Sequence, residues 1–257
     1  MQLVVDVGNT ETVVGLAASP TEIVADWRVS SSVPRTGDEM TALIRAFLAG
    51  DGVDEGRIVR GVVGSVVPSV NYVWKKTLET ITGAPAVAVG PHSNLPITLD
   101  VEDPLSVGAD RVVNTMAAKE MYGRDTIAVD LGTATTFDCI TAEGAFVGGV
   151  ISPGLRAGLE WLSARTAKLP RVELQPPELV IGRRTETCIQ SGVFYQAIDA
   201  VDGIVGRIKE EWGRPDALVV ATGGFASTMG PHLRTVETIE PYLTLFGLAM
   251  AGEYLAG

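Results

Sequence analysis

A duplicated α/β fold, with two similar halves around an interdomain cleft that closes on a ligand, is the architecture this 257-residue sequence predicts. Three observations predict it. An apolar strand that ends in aspartate and a glycine turn, Val5-Asp6-Val7-Gly8-Asn9-Thr10, returns as Val129-Asp130-Leu131-Gly132-Thr133-Ala134, close to half the chain length away. Each copy opens the same succession, three strands followed by helices alternating with strands. A third glycine turn, Thr222-Gly223-Gly224, follows an apolar strand in the second half. The chemistry of these turns suits phosphate: glycine lets the backbone approach closely, N–H groups and hydroxyls donate, and the aspartate can hold a cation.

The elements follow in order. Residues 3–7 and 12–17 flank the first glycine turn as a hairpin, and 22–29 alternates as a third strand. Met40, Leu43, Ile44 and Phe47 carry helical spacing over 38–48, with Thr36-Gly37-Asp38-Glu39 as the start signal. A buried strand (58–66), a helix (70–82) and a strand (86–89) come next. A proline- and aspartate-rich loop (92–107) then leads to a helix over 109–122. The second half repeats the opening with strands at 126–131, 136–140 and 145–150 and a helix at 154–163. A proline-rich connection (169–177) precedes a long helix (185–212). A strand (218–221) and a closing amphipathic helix (243–254) complete the chain. This order is neither a doubly wound dinucleotide fold nor a barrel, and the halves are expected as 1–118 and 119–257.

Composition narrows the function. Hydrophobic residues make up 46% of the chain, enough for a packed core. Twenty basic against 31 acidic residues leave a net charge of −11, which excludes an extended basic face for nucleic acid or an anionic membrane. A nucleotide-binding protein of this charge has to neutralise phosphate locally, through backbone amides, a few basic side chains and metal ions. The two cysteines, Cys139 and Cys188, lie far apart and read as buried free thiols. The two histidines stand alone beside prolines and offer no zinc or iron ligand set. The four tryptophans, Trp27, Trp74, Trp161 and Trp212, are scattered and read as packing residues. No apolar run approaches the ~20 residues of a membrane span, and Met1 leads into a strand rather than a signal peptide, so a cytoplasmic location is expected.

A single strand-ending D-x-G is an ordinary tight turn; two at half-chain spacing with a third glycine turn are a pattern. The set resembles the actin-like ATPase and sugar-kinase superfamily, in which two ribonuclease-H-like halves clamp ATP. The two aspartate hairpins there face the phosphates and the third glycine turn meets adenosine. A P-loop is absent. A second constellation, Gly108-Ala109-Asp110-Arg111, opens a helix between the halves. An acid in a first helical turn already suits the helix dipole. Paired with a base near a cleft, it also suits hydroxyl-to-phosphate transfer: the carboxylate accepts the proton and the guanidinium stabilises an oxygen anion.

From end to end the chain resembles the type III pantothenate kinases. The matching motifs are Asp6-Val7-Gly8-Asn9-Thr10, Arg35-Thr36-Gly37-Asp38-Glu39, Val66-Val67-Pro68-Ser69-Val70, Gly108-Ala109-Asp110-Arg111 and Asp130-Leu131-Gly132-Thr133-Ala134-Thr135-Thr136. They continue with Gly148-Gly149-Val150-Ile151-Ser152-Pro153-Gly154, Leu169-Pro170, Ile181-Gly182, Gln190-Ser191-Gly192, Thr222-Gly223-Gly224 and Leu243-Thr244-Leu245-Phe246-Gly247-Leu248. The resemblance implies ATP-dependent phosphorylation of the primary hydroxyl of pantothenate, the first step to coenzyme A. It also implies residue roles. Asp6, Val7, Gly8, Asn9, Thr10, Glu11, Thr12, Val13, Thr133, Gly223 and Gly224 are expected at ATP. Gly108, Ala109, Asp110, Arg111 and Thr185 are expected at pantothenate, with Asp110 the proton acceptor. Asp130 is the expected K⁺ site, K⁺ or NH₄⁺ and Mg²⁺ with ATP are the implied ions, and a homodimer is the implied assembly. Two positions depart from the family pattern: Glu11 stands where a neutral polar residue is usual, and Arg183-Arg184 precede Thr185 in place of one basic residue and an asparagine. A non-catalytic ATP-binding regulator on the same fold needs no base, so the Asp110-Arg111 pair disfavours it. A ribonuclease-H-type nuclease using Asp6 and Asp130 is disfavoured by the net charge.

Overall fold

A computed structural model describes residues 1–256. In chain order the elements are β1 (Gln2–Val7), β2 (Glu11–Ser19), β3 (Glu22–Ser30), α1 (Gly37–Gly50), β4 (Arg60–Ser65), α2 (Asn71–Thr82), β5 (Val87–Val89), β6 (Thr98–Leu99) and α3 (Ala109–Tyr122). They continue as β7 (Thr126–Leu131), β8 (Ala134–Ile140), β9 (Ala145–Pro153), α4 (Leu155–Arg165), α5 (Thr185–Trp212), β10 (Leu218–Thr222), α6 (Ala226–Met229), β11 (Thr238–Ile239) and α7 (Leu243–Ala256). Contacts divide them into two compact units. The first holds Met1–Gly123, Glu143–Phe146 and the C-terminal segment from Tyr242; the second holds Arg124–Ala142 and Val147–Pro241.

The first unit is built on a five-stranded sheet in the order β3-β2-β1-β4-β5. β1, β2 and β3 form an antiparallel meander, and β4 lies parallel to β1 with Asp6 opposite Gly64 and Val7 opposite Ser65. One sheet face buries Leu3, Val5, Val7, Val14 and Leu16 against Met40, Ile44 and Leu48 of α1 and Trp74, Leu78 and Ile81 of α2. α1 starts where the sequence predicts. Thr36 Oγ1 accepts the Glu39 N–H at 3.3 Å while Glu39 accepts the Thr36 N–H at 2.7 Å, a reciprocal cap. α7 is buried along its length from Leu243 to Gly252 and packs on β1, β4 and α3. Thr244 Oγ1 and Asn114 Oδ1 hydrogen-bond at 2.9 Å in this buried layer.

The second unit holds the strand order β11-β10-β7-β8-β9, in which β7 and β8 form an antiparallel hairpin and β10 runs parallel to β7. Ile127, Val129, Leu131 and Phe137 pack with Leu155 and Leu159 of α4 and Ile189, Val193, Phe194, Ile198, Val201 and Val205 of α5. Asp202, 7% exposed, faces inward from α5. It accepts hydrogen bonds from the Arg234 N–H (3.1 Å), Arg234 Nε (3.3 Å), the Thr235 N–H (3.0 Å) and Thr235 Oγ1 (2.7 Å), tying the segment before β11 to the helix.

Four local expectations change. The loop predicted over 92–107 contains β6, which pairs in parallel with Ala145 and Phe146. Two residues are too few for alternation to show, and the same is true of β11. Cys188 is exposed on α5, its Sγ donating to the Gly182 carbonyl at 3.3 Å, whereas Cys139 is buried as expected. Trp161 on α4 is 62% exposed rather than packed; Trp74 is buried, and Trp27 stacks on Phe47 with its Nε1 donating to Asp51. The strand predicted from residue 58 begins at Arg60, because Glu55–Arg57 forms a short 3₁₀ turn capped by the Asp54 carboxylate.

Candidate active site

Both aspartate turns are closed by the glycine that follows. The Gly8 N–H donates to the Glu11 carbonyl at 3.2 Å and the Gly132 N–H donates to the Ala134 carbonyl at 3.0 Å. The second turn is one residue shorter: Val7 pairs with Thr12, but Leu131 pairs with Thr135. Thr135 is therefore the register counterpart of Thr12, and both are buried. In the first turn Asn9, Thr10 and Glu11 are exposed, and Thr12 Oγ1 lies 2.9 Å from Ser31 Oγ. Val13 follows on β2 opposite Asp6. The Glu11 carboxylate lies 3.9 Å from Arg28, with both side chains about half exposed. An exposed pair of this kind contributes little energy, but it places a cation beside the one carboxylate that departs from the family pattern.

The end of β4 joins this turn to the start of α3. The Val66 N–H donates to the Val7 carbonyl at 3.1 Å. A Cβ built on Gly108 would lie 3.3 Å from Val66 Cγ1, and one built on Gly64 3.5 Å from Ala109 Cβ. The structure therefore brings Asp6–Val13 and Gly108–Arg111 together within one unit. The Asp110 carboxylate folds back over Gly108, so a side chain there would displace it. Asp110 Oδ1 accepts the N–H of Arg111 at 2.9 Å. Burial pushes the Asp110 carboxyl above the ordinary aspartate range, against the opposing pull of that N–H and of the Arg111 charge. A carboxyl raised by burial at a helix start is poised to take up a proton nearer neutrality than an exposed one. Arg111 lies over the ring of Phe146, with Cζ 4.7 Å from the centroid.

In the second unit, Asp130, the last residue but one of β7, lies opposite Thr222 of β10. Gly223 has φ +89°, and a Cβ there would fall on Asp130 Oδ1 and the Leu131 backbone. Only glycine fits this position, which lets the third turn close over the second aspartate. Thr222 Oγ1 is fully buried without a hydrogen-bond partner. A carboxylate and an orphaned buried hydroxyl on adjacent strands form an oxygen donor set suited to a hard cation. Thr133 is exposed, and its carbonyl accepts the Gly154 N–H at 3.2 Å. Gly224 is exposed, and the Phe225 N–H beyond it donates to the Leu131 carbonyl at 3.0 Å. Arg156, in the first turn of α4, lies 5.3 Å over the Phe225 ring. Thr185 is exposed at the first position of α5. Thr187 Oγ1 secures that start by accepting the N–H groups of Arg183 and Arg184 at 3.2 Å. Phe146 went unmarked in the sequence reading, and Val66 and Thr222 were noted there only within their motifs, with no role. What each does depends on what the fold sets beside it.

Among the described residues no helix is long and apolar enough to cross a membrane. Solved structures share the architecture. A ROK family glucokinase from Streptomyces griseus, in complex with glucose and AMPPNP, superposes with a TM-score of 0.55 at 12% identity, covering 99% of both chains. Ethanolamine utilization protein EutJ from Carboxydothermus hydrogenoformans gives 0.55 at 17% identity over 98% of this chain and 90% of that one. At such identities the likeness establishes the fold, the two-unit actin-like ATPase architecture. Sequence relatives are closer. A type III pantothenate kinase from Moorella thermoacetica is 41% identical over 253 residues, covering 98% of this chain and 99% of the relative. One from Syntrophotalea carbinolica is 43% identical over 248 residues, 96% of each. The profile of the type III pantothenate kinase family matches residues 2–207, and the chain belongs to that family.

Proposed function

We propose that this chain transfers the γ-phosphate of ATP to the primary hydroxyl of pantothenate, giving 4′-phosphopantothenate and ADP at the head of coenzyme A biosynthesis. Family membership over nearly the whole chain supports the substrates. The observation that carries the chemistry is Asp110, a part-buried carboxyl at a helix start, raised by desolvation and joined through Val66 to a phosphate-type glycine turn. Asp110 accepts the hydroxyl proton as the oxygen attacks the γ-phosphorus; the new O–P bond forms as the bond to the β-phosphate oxygen breaks, and the proton later leaves to solvent. Arg111 holds an anionic oxygen of the acceptor, and Thr185 contributes a hydroxyl to the same substrate. The N–H groups and hydroxyls of Asp6–Val13 hold the phosphates, with Thr133, Gly223 and Gly224 completing the nucleotide contacts. Mg²⁺ bound with ATP would supply positive charge against that of the phosphates.

Asp130 and Thr222 Oγ1 would hold K⁺ or NH₄⁺, which adds positive charge in a protein of net charge −11. A homodimer is proposed as well: Trp161 (62% exposed) and Ile181 (82% exposed) are apolar surface of the kind a second copy covers. The proposed location is the cytoplasm. A regulator that only binds ATP is the weaker reading, because a binder needs no base and the Asp110-Arg111 pair at the start of α3 has no role in it. An ATP-consumption assay against pantothenate, with glucose, glycerol and acetate as controls, tests the proposal. Turnover of a control with none of pantothenate refutes it.

A further inference from the structure

Arg111 is oriented by a residue far from it in sequence. Its Cζ lies 4.7 Å from the centroid of the Phe146 ring, over the ring face, and Phe146 is 1% exposed. The ring quadrupole attracts the guanidinium through its face, whereas the guanidinium N–H groups point outward in its plane, the direction from which oxygen acceptors approach. The ring is fixed in turn by a two-strand clamp. Leu99 pairs with Phe146, the Thr98 N–H donates to the Gly144 carbonyl at 3.0 Å, and the Asp100 N–H donates to the Phe146 carbonyl at 2.8 Å. Farther along α3, Lys119 Nζ donates to the Pro96 carbonyl, so residues 96–100 hold the helix near its far end too. The short segment 143–146 packs with the first unit although the chain on both sides of it belongs to the second. Its aromatic residue lands under the guanidinium beside Asp110.

The geometry points to Phe146 as a positioning residue for the phosphoryl acceptor, an inference that rests on the reading of Gly108–Arg111 as the pantothenate site. Phe146 sets the plane of Arg111, so that the guanidinium edge meets the anionic oxygen of the acceptor. It acts through Arg111 alone and has no share in holding ATP. A lysine at 111 could carry the charge but has no plane for the ring to set.

The test compares Phe146→Leu, which keeps apolar bulk and removes the ring, with Phe146→Tyr, which keeps the ring. Steady-state kinetics are measured in both substrates, beside a thermal melt. Phe146→Leu should raise KM for pantothenate about 2- to 30-fold, the span of a cation–π contact from exposed to desolvated sites, with KM for ATP unchanged. Phe146→Tyr should restore the wild-type KM for pantothenate even if its extra hydroxyl lowers Tm. Equal behaviour of the two variants, or a parallel rise in both KM values, assigns Phe146 to packing and overturns the inference. If Phe146→Leu does not fold, Phe146→Met is judged by the same criteria. A wild-type protein that does not phosphorylate pantothenate overturns the functional reading and this inference together. An active wild type with an unaltered Phe146→Leu KM overturns this inference alone.

Discussion

Replacing Asp110 by asparagine separates a catalytic role from a structural one, and the two roles predict opposite signs. The carboxyl is pushed up by burial and receives backbone hydrogen bonds from the Arg111 N–H, at 2.9 Å, and from its own N–H. Asparagine keeps an oxygen acceptor and fits over Gly108 as the carboxyl does, so the lost interaction is the charged share of these hydrogen bonds, about 1–2 kcal/mol. Against it stands the relief of a desolvated charge. The sign follows from the shift: a carboxyl whose folded pKa is raised favours the fold fully below its unfolded pKa, and that contribution is lost as pH rises through the folded value. At neutral pH the wild type carries the cost and Asp110→Asn does not, so the variant should melt within about 4 °C of wild type, or above it. Its kcat should fall by about 10²–10⁴, equivalent to roughly 2.7–5.4 kcal/mol of barrier, because the amide cannot accept the hydroxyl proton. The acid limb of the wild-type kcat profile, set above the ordinary aspartate range, should be missing from the residual activity of the variant. Initial rates from acid to neutral pH alongside a thermal melt provide every quantity. A variant that melts well below wild type and keeps its kcat would refute the assignment.

Three further outcomes follow from the same geometry. Gly223→Ala forces a Cβ onto Asp130 Oδ1 at φ +89°; it should raise KM for ATP and cost about 1–3 kcal/mol of stability, and an alanine variant with wild-type KM and Tm would show that the turn relaxes freely. Asp202→Ala strands the N–H groups of Arg234 and Thr235 and should destabilise by about 2–4 kcal/mol, a fall in Tm of roughly 5–15 °C. Burial raises the Asp202 carboxyl, but the hydrogen bonds from Thr235 and Arg234 outweigh it and leave the carboxyl below its ordinary value. Its contribution is therefore present above the unfolded pKa and lost as pH falls through the folded one, so the gap between wild type and Asp202→Asn in pH-dependent melts should close in strong acid. Turnover should rise when K⁺ or NH₄⁺ replaces Na⁺ at constant Mg²⁺, and Asp130→Asn should abolish that difference; equal rates in the two buffers would remove the monovalent ion from Asp130.

Much of the candidate site was legible in the sequence because its parts are local. A strand-ending aspartate followed by glycine specifies its own turn, and Gly8 and Gly132 close those turns through hydrogen bonds that span two or three residues. The Thr36–Glu39 cap and the helical spacing behind it set α1 in the same way. The start of α3 carried its acid, its base and the glycine over which the acid folds within four consecutive residues. These features depend on backbone geometry and side-chain chemistry at short range, which the order of residues states directly.

Everything that depends on packing between distant segments was decided by the tertiary structure. Two-residue strands such as β6 leave no periodicity, so the clamp that carries Phe146 to Arg111 had no signature. The pairing of Thr135 with the residue after the second aspartate follows from a turn one residue shorter than the first, a matter of register. The C-terminal α7 reads in sequence as an amphipathic helix, but packing on β1, β4 and α3 buries every residue from Leu243 to Gly252 and leaves no polar face there. The pKa of Asp110 is likewise a property of the space around it, since desolvation depends on what surrounds a carboxyl and not on what adjoins it in the chain. The sequence by itself determined which chemical groups are present and which short turns hold them. The fold decided which of those groups are buried, and therefore how they can react.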